Sequence, residues 1–148
     1  MYKKDGIFVD SQLRTSNPRI YAAGDCVYGS PQLETASASM GSIAANNIYG
    51  DEIKEYVRER YPLAVLTDPA YVFCGKRTED RVETAISNVS KSRIVGRTEG
   101  KISIYLDRDE RVKGMEVIAY HAEEFSGEIS FITNEGTKLQ DIIDMPHV

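Results

Sequence analysis

Apolar positions in the first sixty residues come as short runs. Ile7-Phe8-Val9 lies between acidic residues, and Ile20 to Ala23 ends on Gly24-Asp25. They predict strands over 5–10 and 20–23, with a turn at 15–18 between them. Gly29-Ser30-Pro31 then supplies a helix start, with Ser30 as N-cap and Pro31 at the first helical position. Beyond it Leu33, Ala36, Met40, Ile43, Ala44, Asn47 and Ile48 recur every three or four residues. That spacing predicts an amphipathic helix, with Gly50 as its C′ residue. Two strands and one helix cannot cover their own apolar faces, so residues 1–60 read as the tail of a larger domain.

The pattern changes after the charged segment 51–60, where only Ile53, Tyr56 and Val57 are candidates to face inward. That segment reads as a connecting helix or linker ended by Pro62. Residues 65–75 are rich in strand formers and close on Gly75. Thr78-Glu79-Asp80 offers an N-cap and first-turn acids for a helix carrying Val82, Ala85, Ile86 and Val89. Residues 102–106 and 111–120 form two strands of a hairpin around the polar turn 107–110. The 123–134 stretch fits both periods. Gly136 as C′ residue and a Thr137-x-x-Gln140 capping box favour helix-turn-helix. Residues 61–148 are therefore expected to be α+β, an antiparallel sheet with helices on one face.

Composition narrows the functional classes. The 148 residues carry a net charge of -5 and no basic block, which argues against nucleic acid or anionic membrane as partner. No apolar run is long enough to span a bilayer, and no signal-peptide pattern opens the chain. Cys26 and Cys74 lack any C-x-x-C or C-x-x-x-x-C spacing and read as buried free thiols of a reducing compartment, so a cytoplasmic protein is expected. His121 and His147 lie far apart without a nearby cysteine, which argues against zinc. Glu123, Glu124 and Glu128 read as a solvated helix face, and His147 as a terminal residue.

The candidate chemistry sits at the end of the second run. A carboxylate at a strand end, beside a helix N-terminus, suits a ligand with sugar-type hydroxyls and carbonyl or anionic oxygens. The wording Arg14-Thr-Ser-Asn-Pro-Arg-Ile-Tyr-Ala-Ala-Gly-Asp25 closely resembles the second FAD-binding motif of the pyridine nucleotide-disulfide oxidoreductases. Dihydrolipoamide dehydrogenase, mercuric reductase and glutathione reductase are members of that family. By this resemblance Asp25 hydrogen-bonds the ribityl chain, Ala23 and Gly24 shape the approach, and Leu33, Glu34 and Thr35 offer backbone N–H groups to the flavin.

The resemblance continues along nearly the whole chain. Residues 66–79 look like the family's FTDPEVASVGLTE, where its interface domain begins. Residues 113–124 look like its LLGAHIVGPNAGE, and 139–147 like the approach to its C-terminal active-site segment. The 87–100 stretch is shorter than usual, which implies a trimmed sheet. No G-x-G-x-x-G and no redox cysteine pair occur. A gapless alignment puts His147 on the first His of the family's His-Ala-His-Pro and the catalytic position one residue past the end of the chain.

The resemblance thus implies the end of an FAD domain (1–60) followed by a dimerisation domain (61–148). It implies FAD and NAD(P)H as cofactors of the parent, and a homodimer through the second domain. No catalytic or metal-ligating residue is expected here, and FAD is expected to bind this chain weakly or not at all. The competing reading is a non-catalytic dimerisation or binding module derived from the same family.

Overall fold

The computed structural model describes residues 2–3 and 6–146. The chain divides into two compact units, Met1–Tyr61 and Pro62–Val148.

In the first unit, β1 (Tyr2–Lys3) pairs antiparallel with β2 (Gly6–Ile7), and Ile7 bridges in parallel to Val27. The longer strands expected over 5–10 and 20–23 do not form. Residues 20–23 contribute one bridge, Tyr21 to Arg14, with backbone bonds from Ala22 N–H to the Leu13 carbonyl, from Thr15 N–H to the Ile20 carbonyl and from Ile20 N–H to the Asn17 carbonyl. Their partner is a turn and not a strand. The Asp10 carboxylate accepts from the backbone N–H groups of Gln12 and Arg14, curling that turn so that Leu13 is fully buried.

Helix α1 runs Glu34–Tyr49 and buries Ala36, Met40, Ala44 and Asn47. Met40 and Ala44 pack with Leu13, Ala22 and Val27 as the core of this unit. The helix begins three residues later than Ser30 predicts: Leu33 is the N-cap, and no side chain caps it. Gln32 has φ +54°, a left-handed conformation that cannot belong to a right-handed helix. Ser30 Oγ instead accepts from Gln32 N–H within the loop. Gly50 likewise ends α1 in an extended conformation and not as a left-handed C′ residue. Residues 51–57 form no helix; a 3-10 turn, Arg58–Arg60, closes the unit.

The second unit is a five-stranded, wholly antiparallel sheet in the order β3 (Leu63–Val65), β4 (Ala70–Gly75), β7 (Val112–Ala119), β6 (Lys101–Leu106), β5 (Arg81–Ala85). The α+β expectation holds. Helices α2 (Ser90–Val95), α3 (Ser126–Glu135) and α4 (Leu139–Asp144) complete it. Ala70, Val72 and Cys74 of β4 stand opposite Ala119, Val117 and Met115 of β7 and pack with Ile129 of α3.

The other face carries Tyr71, Phe73, Glu116, Ser103 and Glu83. Arg77 lies over Phe73, 4.2 Å from its ring centroid, and pairs with Glu116 at 2.6 Å. Burial and the neighbouring Glu116 carboxylate hold the Tyr71 hydroxyl above its usual pKa.

Three expectations fail here. Residues 81–85 are an edge strand and not a helix, because each pairs with β6, and Glu83 accepts from Lys101 Nζ and Ser103 Oγ, both at 2.8 Å. Thr78 Oγ1 donates to the Asp80 and Leu106 carbonyls and caps nothing. With β5 in place the sheet has five strands; a 3-10 turn and α2 occupy 86–95. The capping box at 137–140 does not form either: Lys138 is the N-cap of α4, and Gln140 bonds Asp144. The predicted hairpin and α3, ended by left-handed Gly136, are as expected.

Candidate functional site

The predicted ligand-facing residues meet at the start of α1. Ala23 leads in extended conformation to a 3-10 turn, Gly24–Cys26, which carries Asp25 at its middle. Gly24 has φ +81°, a conformation that any side chain would strain. Its N–H points at Met40 Sδ, 3.2 Å away, in the middle of α1. The Asp25 carboxylate then reaches the first turns of the same helix, where Ser37 Oγ donates to Oδ1 at 3.2 Å.

The helix start supplies the complementary groups. Ser37 N–H makes the first intrahelical bond, to the Leu33 carbonyl. The N–H groups of Glu34, Thr35 and Ala36 precede it, have no intrahelical acceptor, and receive no side-chain cap. Donors therefore lie beside an exposed carboxylate acceptor.

The charge limits what this arrangement holds. Asp25 and Glu34 place two carboxylates near one helix start, so an anionic phosphate meets repulsion that offsets the helix dipole. A neutral ligand offering hydroxyls to Asp25 and carbonyl oxygens to the N–H groups suits it better. A polyhydroxyl chain attached to a carbonyl-bearing ring has that chemistry, so the residues present fit a flavin. All six predicted residues, Ala23, Gly24, Asp25, Leu33, Glu34 and Thr35, belong to this turn and helix start. Sequence reasoning missed the fastening of the turn to the helix by Ser37 and Met40: Met40 sits in the stripe that spacing marks as packing, and Ser37 lies outside it with no signal of its own.

The cysteines are not arranged for exchange. Neither forms a disulfide; Cys74 is buried, as expected, but Cys26 is exposed, its thiol against the Ala23 carbonyl at 3.3 Å. The turn carrying it lies at the rim of the unit and does not enclose it.

In the second unit a cleft of about 310 Å³ is lined by Leu66, Thr67, Asp68, Tyr120, His121 and Glu123. His121 Nδ1 lies 3.0 Å from Glu123 Oε1, and this contact holds the Glu123 carboxyl below its usual pKa. His121 starts a 3-10 turn with φ +56°. No cluster able to hold a metal ion occurs among the described residues, and no described helix is long and apolar enough to cross a membrane. His147 lies outside the described residues.

The comparisons follow this geometry. The family model described as pyridine nucleotide-disulphide oxidoreductase matches residues 1–41, the segment that holds the turn and the helix start. A dihydrolipoyl dehydrogenase of Haemophilus influenzae is 31% identical over 92% of this chain and 30% of its own length. One from Haloferax volcanii is 26% identical over 94% and 31%. A mercuric reductase of Acidithiobacillus ferrooxidans is 28% identical over 93% and 27%.

Among solved structures, LpdA from Mycobacterium tuberculosis superposes with a TM-score of 0.85 at 20% identity. It covers 99% of this chain and 34% of that one. The HOCl-induced flavoprotein disulfide reductase RclA from Escherichia coli gives 0.81 at 18% identity, over 99% and 36%. The chain spans about a third of the length of these relatives. Over that third the chain is similar in sequence to pyridine nucleotide-disulfide oxidoreductases and shares the fold of the solved structures.

Proposed function

We propose that this chain supplies the flavin-facing acid, the flavin-facing helix start and the dimer contact of an FAD-dependent pyridine nucleotide-disulfide oxidoreductase. The observation that carries the cofactor part is the seating of Asp25 against α1, with Ser37 Oγ on its carboxylate at 3.2 Å. Asp25 accepts from ribityl hydroxyls, Ala23 and Gly24 let the chain approach, and the N–H groups of Leu33, Glu34 and Thr35 face the ring carbonyls. When bound, the flavin supplies the hydride chemistry between NAD(P)H and a disulfide, thiol or metal substrate. The contribution of these residues is to orient it and to neutralise its polar edge. Residues 1–60 act as the end of the FAD-binding domain, and 61–148 as the dimerisation domain.

Dimer formation rests on the five-stranded sheet. Isologous two-fold contacts are the commonest way soluble chains assemble. Exposed Phe125, Phe131, Ile143 and Met145 give this unit apolar surface outside its own core.

The experiment is an amide-resolved NMR titration of the chain with millimolar FAD. Shifts confined to residues 23–26 and 33–36, with an affinity too weak to survive gel filtration, are expected. So small a share of a site buries little of the ligand. Shifts scattered over both units, or none, would overturn the cofactor reading.

A further inference from the structure

An exposed aspartate on a three-residue turn is a poor ligand-binding group by itself, because its side chain rotates freely and a bound ligand must stop it. In this protein the turn is fastened to α1 at two levels. The Gly24 backbone N–H meets Met40 Sδ, and the Asp25 side chain receives the Ser37 hydroxyl, both at 3.2 Å. Ser37 and Met40 are three residues apart and share one face of the helix. A Cβ on Gly24 would lie 3.5 Å from Ser37 Cβ and Oγ, so the turn rests directly on that serine.

We propose that Ser37 is a positioning residue for Asp25: its hydroxyl fixes one carboxylate oxygen so that the other accepts from a ligand hydroxyl while the N–H groups at the start of α1 donate to the same ligand. The inference rests on the flavin reading above and gives Ser37, there only the contact that seats Asp25, a role in ligand affinity.

The physical case is one of pre-organisation. A donor on Oδ1 selects one rotamer of Asp25, so the ordering cost is met before the ligand arrives. It also ties the acceptor to the donors. Ser37 is the first residue of α1 whose N–H bonds within the helix, so its side chain moves with the three free N–H groups just before it. Helix stability does not explain the serine, because alanine is the better helix former at an interior position.

The test compares the wild-type chain with Ser37→Ala and Ser37→Thr in two NMR measurements. One is the Asp25 χ1 distribution from three-bond couplings; the other is the dissociation constant for FAD from the shifts of residues 23–36. Ser37→Ala should average the Asp25 rotamer and weaken FAD binding about fivefold, the loss of roughly one hydrogen bond's contribution. It should leave the fold intact. Ser37→Thr keeps the hydroxyl and should keep both properties.

A Ser37→Ala chain with one Asp25 rotamer and unchanged affinity overturns the inference alone, as does a Ser37→Thr chain that behaves like Ser37→Ala. Absence of any FAD-induced shift in the wild-type chain overturns the flavin reading and this inference with it.

Discussion

Asn47→Ala should be among the most damaging single polar substitutions in the first unit. The side chain lies near the end of α1 and is nearly buried. Its Nδ2 donates to the Gln12 carbonyl at 3.0 Å and to the Lys54 carbonyl at 2.8 Å, and its Oδ1 accepts from Lys54 N–H at 2.8 Å. One amide therefore joins the helix to the turn that buries Leu13 and to the segment leaving the unit. Alanine removes these three bonds, and a long one at 3.4 Å from Asn46 Nδ2, and strands two backbone carbonyls and one N–H. At about 1 kcal/mol per bond the loss is about 3 kcal/mol, a large share of the stability of a unit of this size.

Neighbouring Asn46 is the control. Its amide donates to the exposed Glu52 carbonyl, which water can solvate, so Asn46→Ala should cost under about 1 kcal/mol. Native-state hydrogen exchange reads the difference directly. Core amides of α1, such as Met40 and Ala44, should exchange about a hundredfold faster in Asn47→Ala, at about 1.4 kcal/mol per decade. Amides of β4 and β7 should be unchanged. Equal effects of the two substitutions, or exchange rates less than about fivefold apart, would refute this role of Asn47.

Gly75→Ala should destabilise the second unit by about 3 kcal/mol, because φ is +88° and the new Cβ would stand 2.2 Å from the Lys113 carbonyl. Gly127→Ala, with nothing within 4 Å, should be neutral or stabilising; urea midpoints of the two variants check this.

The carboxyls of Glu83, Asp107 and Glu123 are held below their usual pKa by the Lys101 ammonium, by the Arg111 backbone N–H and by His121 respectively. Depressed carboxylates stabilise the fold fully above the unfolded value of about 4, and that contribution disappears as pH falls through the native values. Thermal melts should therefore fall steeply below about pH 4, less so in Asp107→Asn. The chain should also self-associate. Sedimentation giving a clean monomer on the order of tens of micromolar would contradict that expectation.

How much was legible depended on what each element pairs with. The α1 stripe could be read because Met40, Ile43 and Ala44 meet one core, although Ile48, which continues the spacing, is exposed. The β6–β7 hairpin could be read because both strands alternate around a polar turn. Edge strand β5 could not: all five residues are exposed, and Val82, Ala85, Ile86 and Val89 imitate helical spacing only because a 3-10 turn follows the strand. The start of α1 was misplaced because the left-handed conformation of Gln32 leaves no trace in residue type. The residues proposed to face the ligand were named from a resemblance, whereas Ser37 emerged only from its 3.2 Å contact with Asp25.

The central claim is that Asp25 and the start of α1 act together on a flavin, and one substitution tests it most directly. Asp25→Ala deletes the hydroxyl acceptor and leaves α1 and its N–H groups in place, since Asp25 is exposed and its carboxylate meets the helix through the Ser37 hydroxyl. In the amide-resolved FAD titration, the account predicts at least about a tenfold loss of affinity, the scale of a hydrogen bond to a charged acceptor. Residual shifts should be limited to 33–36. Unchanged affinity, or an unchanged shift pattern across 23–36, would contradict it.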